Sequence, residues 1–142
     1  MTRKQQQWAR VCEDSQAAPV VCSPETAATH IRKVIERTNG YEFEHVVALF
    51  LNNQSKIVGS AVVGVGGFDG SNVITSILFK KFFTTKGASK FIVGHNHPSG
   101  SLEISQPDRR FTESIHTLSL HLGITMLDSL IVTATTHEQI PL

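Results

Sequence analysis

The sequence predicts an α/β fold in which helices sandwich a mixed β-sheet. Three observations lead to this prediction. Residues 46–51 are apolar on both alternating faces, and residues 90–93 form a second short apolar run, as in strands of a sheet that is covered on both sides. Three further segments place apolar side chains at helical spacing. The order helix, hairpin, helix, strand, helix, strand is typical of a layered arrangement.

The composition is that of one globular domain. The chain has 142 residues, 40% of them hydrophobic and 18% charged, which excludes a disordered or fibrous protein. The formal net charge of +1 gives no indication of a nucleic-acid or membrane partner. Apolar runs stay well below the roughly 18 residues of a membrane span, and residues 1–10 lack the apolar core of a secretory signal. We therefore expect a cytoplasmic protein.

The N-terminal stretch is polar and weakly patterned. We expect residues 1–22 to form a loosely ordered arm and residues 23–142 to form the domain. The apolar side chains of the arm could dock on the domain or on a second copy of the chain, which would give a homo-oligomer. These side chains are Trp8, Val11, Val20 and Val21.

The first helix has a clear start. Ser23 can cap it, Pro24 suits its first turn, and Glu25 lies near the positive end of the helix dipole. Apolar residues then recur at helical spacing up to Gly40, where we expect the element to end.

The middle of the chain predicts a hairpin and a second helix. Residues 44–51 and 56–65 are the strands of the hairpin, and residues 52–55 are its turn. A loop rich in glycine follows. The spacing of Val73, Ile77, Phe79 and Phe82 then suggests a helix that Gly87 closes.

The last part of the chain predicts a strand, a helix and a strand. Residues 90–93 form the first strand, and Ser105 begins the helix. The apolar stripe of this helix consists of Phe111, Ile115, Leu118 and Leu122, and Gly123 follows it. Residues 124–132 form the final predicted strand.

The stretch with the clearest chemistry is GHNHPSGSLEISQPD, residues 94–108. His95 and His97 follow a buried strand, and residues two apart in extended backbone point the same way. Asp108 arrives at the start of the next helix. Two imidazoles and one carboxylate leave a fourth tetrahedral position for water, which distinguishes catalytic from structural zinc. This ligand set favours zinc over iron or nickel.

Each part of this pattern also has a simpler interpretation. Two histidines at a strand end can be surface residues, and Ser105 with Asp108 can form a capping box. Capping acids are common, so Asp108 alone is as compatible with a cap as with a ligand. The two roles do not exclude each other, because a capping serine can still point its hydroxyl towards the site.

The spacing of these residues resembles that of the JAMM (JAB/MPN) metalloproteases. One residue separates His95 from His97, seven separate His97 from Ser105, and two separate Ser105 from Asp108. This spacing matches the motif without insertion. The string HNHPSG is similar to the RadC-like branch, and the likeness extends over roughly residues 24–134. The chain resembles the short, stand-alone members of that branch. The resemblance implies a fold similar to that of cytidine deaminases and a zinc ion bound by His95, His97 and Asp108.

The resemblance also implies roles for two further residues. It assigns the base to a glutamate on an early strand, here Glu44, and gives Ser105 a part in holding the oxyanion. Glu42, two residues earlier, is the direct competitor of Glu44 because it would point to the same side. His45 points the opposite way, and we expect it at the surface. The other histidines are expected to be structural or exposed: His30, His116, His121 and His137.

The motif and the resemblance together favour zinc-dependent hydrolysis of peptide or isopeptide bonds in a peptide or protein substrate, with a metal-activated water. Two alternatives stay open. One is a role in DNA repair, which is associated with the RadC name but has little support from basic clusters or DNA-binding motifs. The other is an assembly module in which the metal organises loops and catalysis is weak.

Overall fold

The computed structural model describes residue 3, residues 20–66 and residues 71–142. Within this part the chain forms three longer helices, α1 (Pro24–Glu36), α2 (Ser71–Thr84) and α3 (Gln106–Leu122), and a 3-10 turn, Gly40–Glu42. The strands are β1 (His45–Leu51), β2 (Ile57–Val65), β3 (Lys90–His95), β4 (Thr125–Val132) and β5 (His137–Gln139). No helix of the described part is long and apolar enough to span a membrane. The predicted docking residues Trp8 and Val11 lie outside it.

The five strands form one mixed sheet in the order β2-β1-β3-β4-β5. Strand β1 is antiparallel to both β2 and β3, strand β4 is parallel to β3, and β5 is antiparallel to β4. The parallel pair requires a crossover, which α3 supplies. The predicted hairpin and the mixed sheet are therefore confirmed.

Helices cover both faces of the sheet, as its doubly apolar strands require. On one face α1 packs through Ala27, Ala28, Ile31 and Ile35 against alternate residues of the central strands. On the other face α2 and α3 pack against the remaining residues of the same strands, with an aromatic cluster at the centre. The cluster comprises Phe50, Phe79, Phe82 and Phe91. The α/β sandwich predicted from the sequence is confirmed.

Serine side chains begin two of the helices. The Ser23 hydroxyl accepts a hydrogen bond from the backbone N–H of Thr26, and the Thr26 side chain reaches back to Ser23. Ser105 and Asp108 form the same reciprocal capping box at α3. Gly123 ends α3 in the left-handed region, with φ at 70°, where glycine carries no Cβ penalty. Both predicted helix starts are confirmed.

Among the described residues of the predicted arm, Val20 and Val21 join the domain. Val20 pairs with Lys56, directly before β2, and the backbone N–H of Val21 donates to the carbonyl of Ser55 at 3.0 Å. The Val21 side chain is fully buried with α1. These contacts attach residues 20–21 beside the β1–β2 turn.

Three features differ from the sequence prediction, the first being that α1 ends at Glu36 and not at Gly40. Strand β5 was not predicted, because its residues His-Glu-Gln show no apolar alternation. The predicted stripe of α3 is wrong at its C-terminal end, where Leu118 and Leu122 are exposed and Ser119 is buried instead. The Ser119 hydroxyl donates to the carbonyl of Ile115 within the helix, so its burial leaves no polar group unpaired.

Candidate metal centre

The sheet topology brings three separate segments to one point. Val46 at the start of β1 pairs with His95 at the end of β3, so Glu44, which immediately precedes β1, lies beside the exit of β3. The chain then turns through residues 98–104 and enters α3, whose first turn carries Asp108. Four possible ligand atoms, one each from Glu44, His95, His97 and Asp108, lie within 4.8 Å of one another.

The two imidazoles and the carboxylate are in direct contact. Nε2 of His95 lies 3.2 Å from Nε2 of His97 and 3.0 Å from Oδ1 of Asp108. Nε2 of His97 lies 3.0 Å from Oδ2 of Asp108. The three residues are therefore directed towards a common point, with His95 and Asp108 almost fully buried and His97 at its solvent side.

A backbone carbonyl defines which nitrogen of His97 faces the cluster. Nδ1 of His97 lies 2.9 Å from the carbonyl oxygen of Ser101. A carbonyl can only accept, so Nδ1 donates to it, and Nε2 is the nitrogen that faces the cluster. The loop between β3 and α3 closes on itself to make this contact, since the Gly100 N–H donates to the His97 carbonyl at 2.8 Å. This is the arrangement that orients a ligating imidazole.

Asp108 is ionised in this setting. Burial by itself raises the pKa of a carboxyl, but hydrogen bonds from His95 and from the backbone N–H of Ser105 outweigh it and lower the pKa of Asp108 to about 2. The Ser105 N–H donates to Oδ2 at 2.9 Å. The capping box and the cluster thus share one carboxylate, and the two roles considered for Asp108 from the sequence are compatible.

Glu44 is half-buried at the edge of the cluster. Burial raises the pKa of its carboxyl above the ordinary value; the positive charge of His95 and His97 opposes this, and the negative charge of Asp108 adds to it. A carboxyl with a raised pKa is suited to accepting and returning a proton near neutral pH. Glu42 is exposed and does not belong to this group.

An open, polar cleft of about 740 Å³ gives access to the cluster. Glu44, His97 and Asp108 lie in its wall, together with hydroxyl groups and two exposed charged side chains. The hydroxyl groups are those of Ser99, Ser101 and Ser105, and the charged side chains are Glu103 and Arg110. A substrate in this cleft would meet the Ser105 hydroxyl close to Asp108.

Two buried residues beside the cluster were not identified as such from the sequence. His45 was expected at the surface, but it is 2% exposed, and its Nε2 lies 3.1 Å from the Thr38 hydroxyl at the end of α1. That expectation was wrong because both faces of β1 are covered from its first residue. Asn96, between the two histidines, is 1% exposed. The position of Asn96 directly after a buried strand is the feature of the sequence that could have predicted its burial.

Comparisons with known proteins bear on this geometry. A family model described as the RadC-like JAB domain matches residues 21–139. A UPF0758 protein of Flavobacterium johnsoniae is 36% identical over 123 residues, which are 87% of this chain and 52% of that protein. The UPF0758 protein YsxA of Bacillus subtilis is 34% identical over 113 residues, which are 80% of this chain and 47% of that protein. The chain spans about half the length of these curated relatives.

Proposed function

This chain belongs to the RadC-like JAB domain family, and on that premise we propose that it is a zinc-dependent hydrolase of peptide or isopeptide bonds. The proposal assigns the metal to His95, His97 and Asp108, the proton transfer to Glu44 and the contact with the oxyanion to Ser105. The observation that carries it is the mutual approach of the three ligand side chains, at 3.0–3.2 Å, beside a fourth, half-buried carboxyl.

The separation of the ligand atoms supports zinc. A tetrahedral zinc ion holds nitrogen and oxygen ligands at about 2.0–2.1 Å, which places neighbouring ligand atoms about 3.3 Å apart. The two Nε2 atoms are 3.2 Å apart here. The Nε2 atom of His97 and the ionised carboxylate of Asp108 both face the point at which zinc would bind. Two imidazoles and one carboxylate leave one position of the tetrahedron open, as catalytic sites require.

The residues around the cluster support hydrolysis. Zinc in such a site supplies a water that ionises near neutral pH and polarises a carbonyl group. Glu44 accepts the proton of the attacking water and passes it to the nitrogen of the scissile amide, so that the C–N bond breaks and an amine and a carboxylic acid leave. A single residue can act as base and then as acid because its carboxyl faces the open cleft.

Ser105 is placed to contact the oxygen of the tetrahedral intermediate. Its hydroxyl oxygen accepts from the Asp108 N–H at 3.1 Å, and its own proton can still donate towards the cleft that it lines. A donor directed at developing negative charge stabilises the transition state more than the substrate. The capping box holds this hydroxyl in place.

The test combines elemental analysis with a cleavage assay. We expect purified protein to hold about one zinc ion per chain and to cleave members of a panel of peptides and lysine-linked isopeptides, with products identified by mass spectrometry. His95→Ala and Asp108→Ala should lose both zinc and turnover. Retention of zinc at full stoichiometry in both variants would refute the metal assignment, and an inert zinc-loaded wild type would refute the hydrolase.

A further inference from the structure

The side chain of Asn96 connects the histidine-bearing strand to the segment that carries Glu44. Its Oδ1 accepts from the backbone N–H of His45 at 2.8 Å. Its Nδ2 donates to the carbonyl oxygens of Phe43 at 2.9 Å and Tyr41 at 3.3 Å. Asn96 is 1% exposed, so its side-chain amide is shielded from water.

These bonds occur where the backbone ladder between β1 and β3 ends. Val46 pairs with His95, and the next pair in an antiparallel ladder would be His45 with Asn96. The backbone of β3 leaves the sheet there in order to turn through Pro98. The Asn96 amide takes over the role of the missing backbone partner and extends the connection to residue 41.

The result is a fixed backbone on both sides of Glu44. Phe43 precedes it and His45 follows it, and both are bonded to the Asn96 side chain. The Glu44 carbonyl accepts from the Gly66 N–H at 2.8 Å. With its flanking peptide groups held, the position of the Glu44 side chain relative to His95 and His97 depends on the residue between those two histidines.

We propose that Asn96 is a positioning residue of the hydrolytic site, whose side-chain amide sets the placement of Glu44 relative to the two histidines. The inference rests on the proposed function, in which Glu44 transfers the proton. Asn96 itself does not touch the substrate or the metal. It acts through the main chain of residues 41–45.

Asparagine is the residue type that meets these requirements. The segment presents one N–H group and two carbonyl oxygens, and a primary amide offers one acceptor and two donors. Aspartate is isosteric and keeps the acceptor for the His45 N–H, but it loses both donors and adds charge. Alanine loses all three bonds, including the buried one that the His45 N–H donates.

The first part of the test measures the backbone connection without any substrate. In zinc-loaded protein, we expect Asn96→Ala to speed hydrogen exchange of the His45 amide at least about tenfold, with little change in the central strands. Asn96→Asp should change it less, because its carboxylate still accepts from that amide. Asn52→Ala is the matched control: at the other end of β1, Oδ1 of Asn52 likewise accepts from backbone N–H groups, those of Gln54 and Lys56.

The second part measures turnover. We expect Asn96→Ala to bind zinc with wild-type stoichiometry, to leave KM within about twofold of wild type and to lower kcat about 10–100-fold. Asn96→Asp should also lower kcat, because its carboxylate cannot donate to the carbonyl oxygens of Phe43 and Tyr41. In a Glu44→Gln background, Asn96→Ala should lower kcat by less than about twofold, since the residue through which it acts is already disabled. A merely structural role would lower kcat equally in both backgrounds.

The outcomes separate this inference from the proposed function. An inert zinc-loaded wild type overturns the hydrolase and with it the catalytic role of Asn96, whatever the exchange data show. An active wild type with an equally active Asn96→Ala overturns the inference alone, as does an equal loss in the Glu44→Gln background. Should Asn96→Ala fail to fold, the isosteric Asn96→Asp carries the same comparison, and kcat equal to wild type would refute the positioning role.

Discussion

The imidazole of His97 is oriented by the carbonyl oxygen of Ser101, which lies 2.9 Å from Nδ1. The contact comes from the loop that follows β3, so the chain itself determines which nitrogen faces Asp108. A preoriented ligand pays little entropy on binding a cation.

Zinc affinity should depend on His97 and not on histidines elsewhere. Loss of an outer-shell partner alone costs about 10–100-fold in metal affinity, so removal of the ligand in His97→Ala should weaken zinc binding by at least about 100-fold. Competition with a chromophoric chelator measures the affinity. His121→Ala, on the exposed end of α3, is the control and should bind zinc as the wild type does. Equal affinities of the two variants would contradict the assignment.

Glu44→Gln should separate metal binding from turnover. The amide keeps the shape of the side chain but cannot accept the proton, so we expect zinc to be retained and kcat to fall about 10²–10⁴-fold. Glu42→Gln serves as control because Glu42 is exposed and outside the cluster. If Glu42→Gln were the variant that lost activity, the base would have been assigned to the wrong carboxylate.

Ser105→Ala should affect both stability and rate, whereas its structural counterpart should affect stability alone. Each of Ser23 and Ser105 closes a capping box, and the loss of an N-cap costs about 1 kcal/mol in the free energy of unfolding. Ser23→Ala should therefore match Ser105→Ala in urea denaturation. The loss of an oxyanion donor should in addition lower kcat of Ser105→Ala about 10²-fold. A rate equal to that of Ser23→Ala would limit Ser105 to capping.

Low pH should lower the free energy of unfolding of the metal-free protein, partly because the Asp108 carboxylate becomes protonated. Its pKa is lowered from 3.8 to about 2, so the ionised carboxylate contributes stability that is fully present above its unfolded pKa and is lost as pH falls towards 2. Asp108→Asn keeps an acceptor for the Ser105 N–H but cannot titrate. Urea denaturation in the presence of a chelator between pH 5 and pH 2 should show a steeper loss in the wild type. Parallel curves would contradict the lowered pKa.

Gly94 lies in β3, directly before His95, and packs closely against Ile31 of α1. A Cβ at this position would lie 2.5 Å from Cδ1 of Ile31, so Gly94→Ala should lower the free energy of unfolding by about 1–3 kcal/mol. Ile31→Val removes the Cδ1 atom and should recover part of that loss in the double variant. Thermal denaturation of the four proteins measures the coupling. If the losses of the two single variants simply added up in the double variant, the contact between Gly94 and Ile31 would not be the cause of the destabilisation.

The elements with local chemical signals could be predicted from the sequence. The caps at Ser23 and Ser105, the hairpin and the buried strands follow from residue type and periodicity, and the family resemblance inferred from the histidine motif is confirmed by the match over residues 21–139. The order of the strands in the sheet depends on contacts between residues far apart in the sequence. It is the antiparallel pairing of β1 with β3 that places Glu44 beside His95, and the sequence could suggest this only through resemblance.

The errors have identifiable physical causes. His45 was assigned to the surface by alternation, but alternation separates inside from outside only when one face of a sheet meets water. Leu118 and Leu122 follow the period of α3, yet with Phe79 and Phe83 they line a shallow apolar depression, while Ser119 takes the buried place. Strand β5 pairs with β4, and Gln139 also donates to the buried carboxylate of Asp128 at 2.8 Å, a bond that no pattern of hydropathy can indicate.

The crossover from β3 through α3 to β4 has a thermodynamic consequence. The two histidines lie at the end of β3, Asp108 lies at the start of α3, and Glu44 lies directly before β1. Only folding brings these residues together, so the denatured chain has no preformed site for the cation. Zinc would bind the native state in strong preference to the denatured ensemble, and every tenfold rise in free zinc above the dissociation constant would add about 1.4 kcal/mol of protection. Chelators would then act on this protein as mild denaturants.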